Sequence, residues 1–210
     1  MTLEVNTFLK GASGRLFLAC AAAASAACAP DTTELFAEGE AQGTTFVVRA
    51  YGDSLDATQD DIARWLAAYN QAVSAWDPHS ELSVLNAGGE VQPSAILNDL
   101  LLVTEAVRTA TDSVVEPALE PVLRAWGFSV GTNMLPTAAG PVRDSAIVDS
   151  LRALVRWEAP VRGTQGAVRL PRPINVNAFA QGHSVDLLLD SLRAHGATAA
   201  FVEVGGEVRA

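Results

Sequence analysis

Apolar residues recur at helical spacing in three parts of the chain. The first part predicts a helix from a cap at Asp56 to about Ala75, and four of its residues form one inward stripe: Ile62, Leu66, Tyr69 and Val73. The second predicts a helix that starts at Pro93-Ser94 and has a similar inward stripe: Ile96, Leu100, Val103 and Val107. The third predicts a helix over 180–195 that Gly196 ends.

Runs of β-branched and aromatic residues predict strands at 43–51 and 199–204. The pattern also predicts a strand pair at 166–170 and 174–176, a helix over 144–156, and a loop with a short helix over 111–128. Helices and strands do not alternate strictly, so we expect a single α+β domain. The last predicted strand ends a few residues before the chain does, and we expect the domain to be truncated at its C-terminal part.

The first thirty residues have the pattern of an export signal. Lys10 and Arg15 precede an apolar run over 16–27 that is too short to span a bilayer. The sequence Ser25-Ala26-Ala27-Cys28 resembles a bacterial lipoprotein processing site, although cleavage by the ordinary signal peptidase stays open. We therefore predict a signal peptide over 1–27, a tether over 28–38 lipidated at Cys28, and a domain over 39–210. This would anchor the protein to a membrane on the periplasmic side of the cell envelope.

Charge and cysteine content exclude several kinds of function. The formal net charge is −10 and the basic residues form no cluster, which argues against nucleic-acid binding. Lys10 is the only lysine, so the mature protein has no Schiff-base or P-loop lysine. Cys20 and Cys28 both lie in or next to the leader, which excludes disulfides and cysteine metal sites from the rest of the chain.

Four segments, taken in order, resemble the FAD:protein FMN transferase family of ApbE-type periplasmic lipoproteins. They are Gln42-Gly43-Thr44-Thr45, residues 74–86, Glu116-Pro117 with residues 123–128, and residues 175–186 with the later Val204–Arg209. The resemblance implies an ApbE-like mixed α/β domain. It also implies an enzyme that cleaves FAD with Mg²⁺, joins FMN to a threonine hydroxyl of an exported electron-transfer protein, and releases AMP.

The resemblance assigns flavin contacts to the first three of these segments. Trp76 matches the aromatic position beside the isoalloxazine, and Gln42 matches a position that lines the flavin. Val114, Val115 and Glu116 match a stretch that usually ends in phenylalanine and aspartate. Each residue also has a simpler interpretation: Trp76 as part of the core, Gln42 as a solvated residue, and Glu116 as a surface carboxylate.

The fourth segment is assigned to the phosphates and the metal. Asn175 stands where aspartate is common and Gln181 where lysine is common, so both positions are neutral amides that can donate and accept hydrogen bonds. Ala178 matches the position whose carbonyl oxygen contributes to Mg²⁺. Gly182 opens a helix whose first amides could face phosphate oxygens.

No catalytic residue is assigned, because the family's acidic Mg²⁺ ligands and its histidine motif lie beyond the glycine pair Gly205-Gly206. Two alternatives keep the same pocket: hydrolysis of FAD to FMN and AMP, and a flavin-binding module without chemistry. A third alternative is a periplasmic lipoprotein of unrelated role.

Overall fold

The computed structural model describes residues 32–126 and 145–210, so the predicted signal peptide and Cys28 lie outside the described residues. The strands of this part are β1 Thr33–Ala41, β2 Thr44–Gly52, β3 Glu90–Val91, β4 Val161–Arg162, β5 Val168–Arg169, β6 Ala199–Val204 and β7 Glu207–Arg209. Its α-helices are α1 Gln59–Val73, α2 Glu81–Asn86, α3 Ala95–Ala110, α4 Glu120–Ala125, α5 Ser145–Arg152 and α6 Ala180–Ala194. A 3₁₀ turn, Pro117–Leu119, precedes α4.

The larger sheet has the antiparallel order β1-β2-β6-β7, and a small sheet has the order β3-β5-β4. Two hairpin turns lie side by side at one end of the larger sheet. Gln42-Gly43 joins β1 to β2 with φ values of 55° and 75°, and Gly205-Gly206 joins β6 to β7 with φ values of 61° and 94°. Positive φ at both central residues is the hairpin geometry that matches the twist of the strands. The Gly205 amide donates to the Thr45 carbonyl, which fixes the two turns together.

One face of the larger sheet carries the first core. Alternate residues of β1, β2 and β6 point to this face and pack against Ile62 and Leu66 of α1 and against Val185, Leu188 and Leu192 of α6. Helix α1 continues into a second core, where Tyr69 and Val73 pack with α2, α3 and residues 168–176. The C-terminal half of α1 therefore lies between the two cores, next to the end of the sheet that carries the hairpin turns.

The helices confirm the predicted pattern with three corrections. The helix predicted over 144–156 ends at Arg152, and residue 144 lies outside the described residues. Helix α1 is capped by Thr58 and not by Asp56, because the Thr58 hydroxyl accepts from the Asp61 amide while the Asp61 carboxylate accepts from the Thr58 amide. The buried stripe of α3 is rotated from the predicted one. Leu97, Leu100, Leu101 and Thr104 are buried, whereas Ile96, Val103 and Val107 are only half-buried.

Three further differences from the sequence analysis concern the strands. The tether predicted for 28–38 does not continue past Thr32, because residues 33–38 are the first part of β1 and pair with β2. Residues 174–176 are not a strand, since the Asn175 amide donates to the Pro117 carbonyl and the Ile174 amide to the Asn86 side chain. Strand β7 was not predicted, and the Gly205-Gly206 turn produces it. The α+β class itself is confirmed. Among the described helices, none has the length and apolar character needed to cross a membrane.

Candidate functional site

A cavity of about 460 Å³ opens at the end of the larger sheet where the hairpin turns lie. Three parts of the chain form its walls: the β1–β2 turn, the C-terminal half of α1 with the residues that follow it, and the start of α6. The lining residues that matter below are Gln42, Tyr69, Trp76, Asn177, Ala180 and Gln181. A volume of this size is within the range of about 300–1,000 Å³ typical of small-molecule sites.

Trp76 provides an exposed aromatic wall of this cavity. The Ser74 hydroxyl accepts hydrogen bonds from the amides of Trp76 and Asp77, both at 3.1 Å, and so turns the chain at the end of α1. The Trp76 side chain is left 63% exposed. It is therefore not a core residue, and its ring is accessible to a flat ligand.

Gln42 provides an unpaired hydrogen-bond donor on the opposite wall. The Ser184 hydroxyl donates to the Gln181 carbonyl at 2.7 Å and lies 3.4 Å from Gln42 Oε1, while Gln42 Nε2 is buried without a partner among the described residues. Burying such a donor unpaired costs about 1–3 kcal/mol. The simpler interpretation of Gln42 as a solvated residue does not fit this burial, and Gln42 lines the cavity.

The start of α6 provides backbone donors between the two walls. No side chain caps this helix at Phe179, and the amides of Ala180 and His183 donate to the carbonyls of Val176 and Phe179. Within residues 32–126 and 145–210, the amides of Gln181 and Gly182 have no hydrogen-bond partner. Unpaired amides in the first turn of a helix favour an anionic group.

The side chain of Gln181 lies close to the β6–β7 turn. A Cβ built on Gly205 would lie 2.7 Å from Gln181 Nε2 and 2.9 Å from Thr44 Cγ2. Only a glycine leaves that space free, and Gly205 also has a φ of 61°. Gly205 therefore has two roles: it forms the turn, and its lack of a side chain leaves room for the Gln181 amide.

A second cavity, of about 310 Å³, lies on the other side of the α6 start and contains the predicted metal position, Ala178. Asn177 and Gln181 line both cavities. Asp186 and Glu207 bring carboxylates to the second cavity, but the Asp186 carboxylate binds Arg209 at 2.5 Å. Among the described residues, no group of three or more His, Cys, Asp or Glu side chains is placed to hold a metal ion together.

Four predicted contact residues line neither cavity. Val114 is 85% exposed, and Val115 is half-buried beside it. The Glu116 carboxylate binds Arg108 Nε at 3.2 Å and accepts from the Ala118 amide at 3.0 Å, so it caps the 3₁₀ turn. Asn175 Nδ2 donates to the buried Glu120 carboxylate at 3.2 Å. These contacts give Glu116 and Asn175 structural roles, and the assignment of all four to the cofactor stays a prediction.

A buried polar network behind the first cavity was missed from the sequence. The Tyr69 hydroxyl donates to the Ala180 carbonyl at 2.6 Å and lies 3.0 Å from His183 Nδ1. His183 Nε2 lies 2.9 Å from Asp99 Oδ2. Burial, and to a smaller extent the Asp99 charge, raise the pKa of Tyr69 well above its ordinary value. The sequence pattern places Tyr69 in the apolar stripe of α1. Its hydroxyl group is the one sequence feature that indicates a polar partner.

Comparison with known proteins identifies relatives of most of the described region. The sequence profile of the ApbE family matches residues 42–210. Proteins named FAD:protein FMN transferase from Vibrio cholerae and Haemophilus influenzae are each 27% identical over 88% of the chain, which spans 56% of their length. A protein of the same name from Rhodobacter capsulatus is 30% identical over 86% of the chain and 35% of its own length.

Solved structures give the same result for the fold. The apo form of the Pseudomonas stutzeri flavinyl transferase ApbE superposes with a TM-score of 0.69 at 21% identity, over 85% of this chain and 57% of that one. The flavin transferase ApbE from Vibrio cholerae superposes with the same TM-score at 20% identity, over 85% of this chain and 59% of that one. With a family profile that covers most of the described residues and a matching fold, the chain belongs to the ApbE family.

Proposed function

We propose that the protein transfers FMN from FAD to a threonine hydroxyl of an exported electron-transfer protein. The names of the relatives support the reaction class. The observation that supports the proposal for this chain is the first cavity, which is lined by the exposed Trp76 and by Gln42 with its buried, unpaired Nε2. A flat ring with a polar edge needs both of these features in one site.

In this proposal, the walls of the first cavity bind the flavin ring of FAD. The Trp76 indole stacks on the isoalloxazine, an arrangement that aromatic pairs favour. Gln42 Nε2 donates to an acceptor at the polar edge of the ring, which relieves the cost of its unpaired state. Because Asn177 and Gln181 line both cavities, a ligand with two linked halves can occupy both at once.

The diphosphate of FAD would then lie at the start of α6. The unpaired amides of Gln181 and Gly182 and the side-chain amide of Gln181 supply neutral donors there. In the reaction, the threonine oxygen bonds to the phosphorus of the FMN half and the bond from that phosphorus to the AMP oxygen breaks. AMP leaves with the electron pair, and the hydroxyl proton is released.

We include Mg²⁺ dependence in the proposal because the resemblance places the Ala178 carbonyl at the metal. Mg²⁺ would neutralise charge on the diphosphate. The described residues offer that carbonyl without a group of three or more acidic or other metal-ligating side chains. The proposed location is the periplasmic side of the envelope, with a lipid at Cys28, on the pattern of residues 1–28.

The test is incubation with FAD, Mg²⁺ and an acceptor domain that carries the threonine, followed by in-gel flavin fluorescence. Residues 28–210 are compared with the same residues in the longest reading frame that continues them. We expect a fluorescent acceptor band from the continued form and none from residues 28–210, because the described part of residues 28–210 has no group of three or more metal-ligating side chains. Free FMN formed without an acceptor would indicate a hydrolase instead, and FAD bound but unchanged by the continued form would indicate a binding module.

A further inference from the structure

The network of Asp99, His183 and Tyr69 joins three helices at the start of α6. Asp99 belongs to α3, Tyr69 to α1 and His183 to the first turn of α6. The His183 side chain is 6% exposed and its two ring nitrogens each have a polar partner within 3.0 Å. The network ends on the carbonyl of Ala180, the first residue of α6.

The hydrogen-bond partners determine where the protons of this network lie. A carbonyl oxygen can only accept, so the Tyr69 hydroxyl donates its single proton to the Ala180 carbonyl, 2.6 Å away. Tyr69 keeps this proton, because burial raises its pKa. The Tyr69 oxygen must then accept from His183 Nδ1. The Asp99 carboxylate also only accepts, so His183 Nε2 must donate to it. Both bonds exist together only when His183 carries two protons, as an imidazolium cation.

The charged groups around His183 leave Asp99 as its specific counter-ion. On its own helix, Asp186 binds Arg209 of β7 and Asp190 lies 3.6 Å from Arg193. Glu207 of β7 lines the second cavity with His183. The remaining titratable groups are Tyr69 and Asp99, and within the described part of the chain the His183 ring is the only partner of Asp99.

This arrangement affects the ligand site because the first turn of α6 is shared by both cavities. The turn contains the unpaired amides of Gln181 and Gly182, and no side chain caps it. The hydrogen bond from the Tyr69 hydroxyl to the Ala180 carbonyl holds this turn in position. Among the described residues that line either cavity, His183 is also the one basic side chain.

We propose that His183 is a positioning residue which, as an imidazolium, holds Tyr69 and the Ala180 carbonyl and thereby fixes the first turn of α6 for an anionic ligand. When His183 loses its second proton, one of its two bonds is lost, and the turn is held less firmly. The effect on ligand affinity rests on the proposed function, with FAD as the ligand. The effect on the turn itself does not.

The first experiment needs no ligand. Nitrogen-15 NMR of the chain follows both ring nitrogens of His183 and the amides of Gln181 and Gly182 between about pH 5 and 8, where histidines ordinarily titrate. We expect a doubly protonated ring at the acid end, and amide shifts that share the midpoint of the ring. In His183→Asn, whose amide nitrogen keeps a donor near the Nδ1 position without charge, the amide shifts should no longer titrate. A singly protonated ring throughout, or amide shifts that titrate unchanged in His183→Asn, would overturn the proposal.

The second experiment measures FAD affinity over the same pH interval. We expect the Kd of the unmodified chain to rise about fivefold or more as the pH rises, which is the lower end of ordinary coupling between sites. Asp99→Asn should reduce this pH dependence, since the His183 ring loses the carboxylate to which its Nε2 donates. Asp99 has a 65% exposed side chain, so this variant removes little packing.

The chain offers a matched control for both experiments. His195 Nδ1 lies 2.9 Å from Asp56 Oδ1 in a second histidine–aspartate pair, and His195 lines neither cavity. His195→Asn should therefore leave the FAD profile and the Gln181 amide shift unchanged. An identical pH profile in the unmodified chain and in Asp99→Asn would refute the role of His183. Failure of FAD to bind at any pH would instead refute the proposed function, while the ligand-free spectra would still decide the role of His183.

Discussion

The replacement Trp76→Ala tests the flavin site at the residue whose exposure makes the result easiest to interpret. Because Trp76 is 63% exposed and its amide, not its ring, is bonded to Ser74, the ring contributes little to the core. We therefore expect the free energy of unfolding of the ligand-free chain to change by less than about 0.5 kcal/mol, as is usual for surface substitutions. A loss of FAD affinity would then report on a ligand contact and not on unfolding.

The size of that loss follows from the exposed area. With a tryptophan surface of roughly 250 Å², the 63% that is exposed corresponds to about 160 Å², of which one face is roughly 80 Å². Covering that face contributes about 2 kcal/mol at about 25 cal/mol per Å². Stacking geometry adds about 1 kcal/mol or less. Since about 1.4 kcal/mol corresponds to a factor of ten, Trp76→Ala should raise the Kd for FAD by about thirty- to a hundredfold.

The assay is a fluorescence titration of the chain with FAD, in which the unmodified protein should show quenching of its tryptophan emission. Trp126→Ala is the matched control, because Trp126 is 44% exposed and lines neither cavity. It should leave the Kd unchanged. If the folded Trp76→Ala chain bound FAD as tightly as the control, Trp76 would not contact the flavin and the location of the site would be wrong.

The Gln42 amide, the Tyr69 hydroxyl and the predicted lipid anchor at Cys28 each give a further prediction. Gln42→Met should not destabilise the ligand-free chain, because it removes a buried unpaired donor, but it should weaken FAD binding about tenfold or more; equal FAD affinity would exclude the proposed hydrogen bond. Tyr69→Phe should lower the free energy of unfolding by about 1–3 kcal/mol in denaturant titrations, because it leaves the Ala180 carbonyl and His183 without their partner. Folding raises the pKa of Tyr69, so the folded chain keeps a proton that the unfolded chain loses above about pH 10. The free energy of unfolding should therefore fall as the pH rises above about 10. In Tyr69→Phe this fall should be smaller. Mass spectrometry of the membrane fraction should find an N-terminus that begins at a lipidated Cys28, and an intact leader would contradict this.

Much of the fold was predictable because its cores follow from periodicity. The stripes of α1 and α6 and the strands β2 and β6 are long and regular, and one inward face determines each of them. The errors occurred where local bonds outweigh the pattern. Thr58 became the cap of α1 because Asp61 completes a reciprocal pair of bonds, a choice that a cap at Asp56 did not offer. Strand β1 was missed because its alternating residues include several charges on the open face.

The candidate site was predictable only in part. Gln42, Trp76, Ala178 and Gln181 were all named from local motifs, and the fold brings them to two adjoining cavities. Glu116 and Asn175 match the same motifs but are bonded to Arg108 and Glu120. A motif gives residue type and spacing, whereas the direction of a side chain depends on partners far along the chain. For the same reason His183, whose partners lie 84 and 114 positions away, was not recognised.

A crystal structure of the chain grown with FAD would show where the flavin binds. We expect the isoalloxazine in the cavity between the β1–β2 turn and the end of α1, stacked on the Trp76 indole, with an acceptor atom of its polar edge within hydrogen-bond distance of Gln42 Nε2. We expect phosphate oxygens at the amides of Gln181 and Gly182. A flavin bound elsewhere on the chain, or a cavity that stays empty when FAD is present at saturating concentration, would show that the first cavity is not the flavin site.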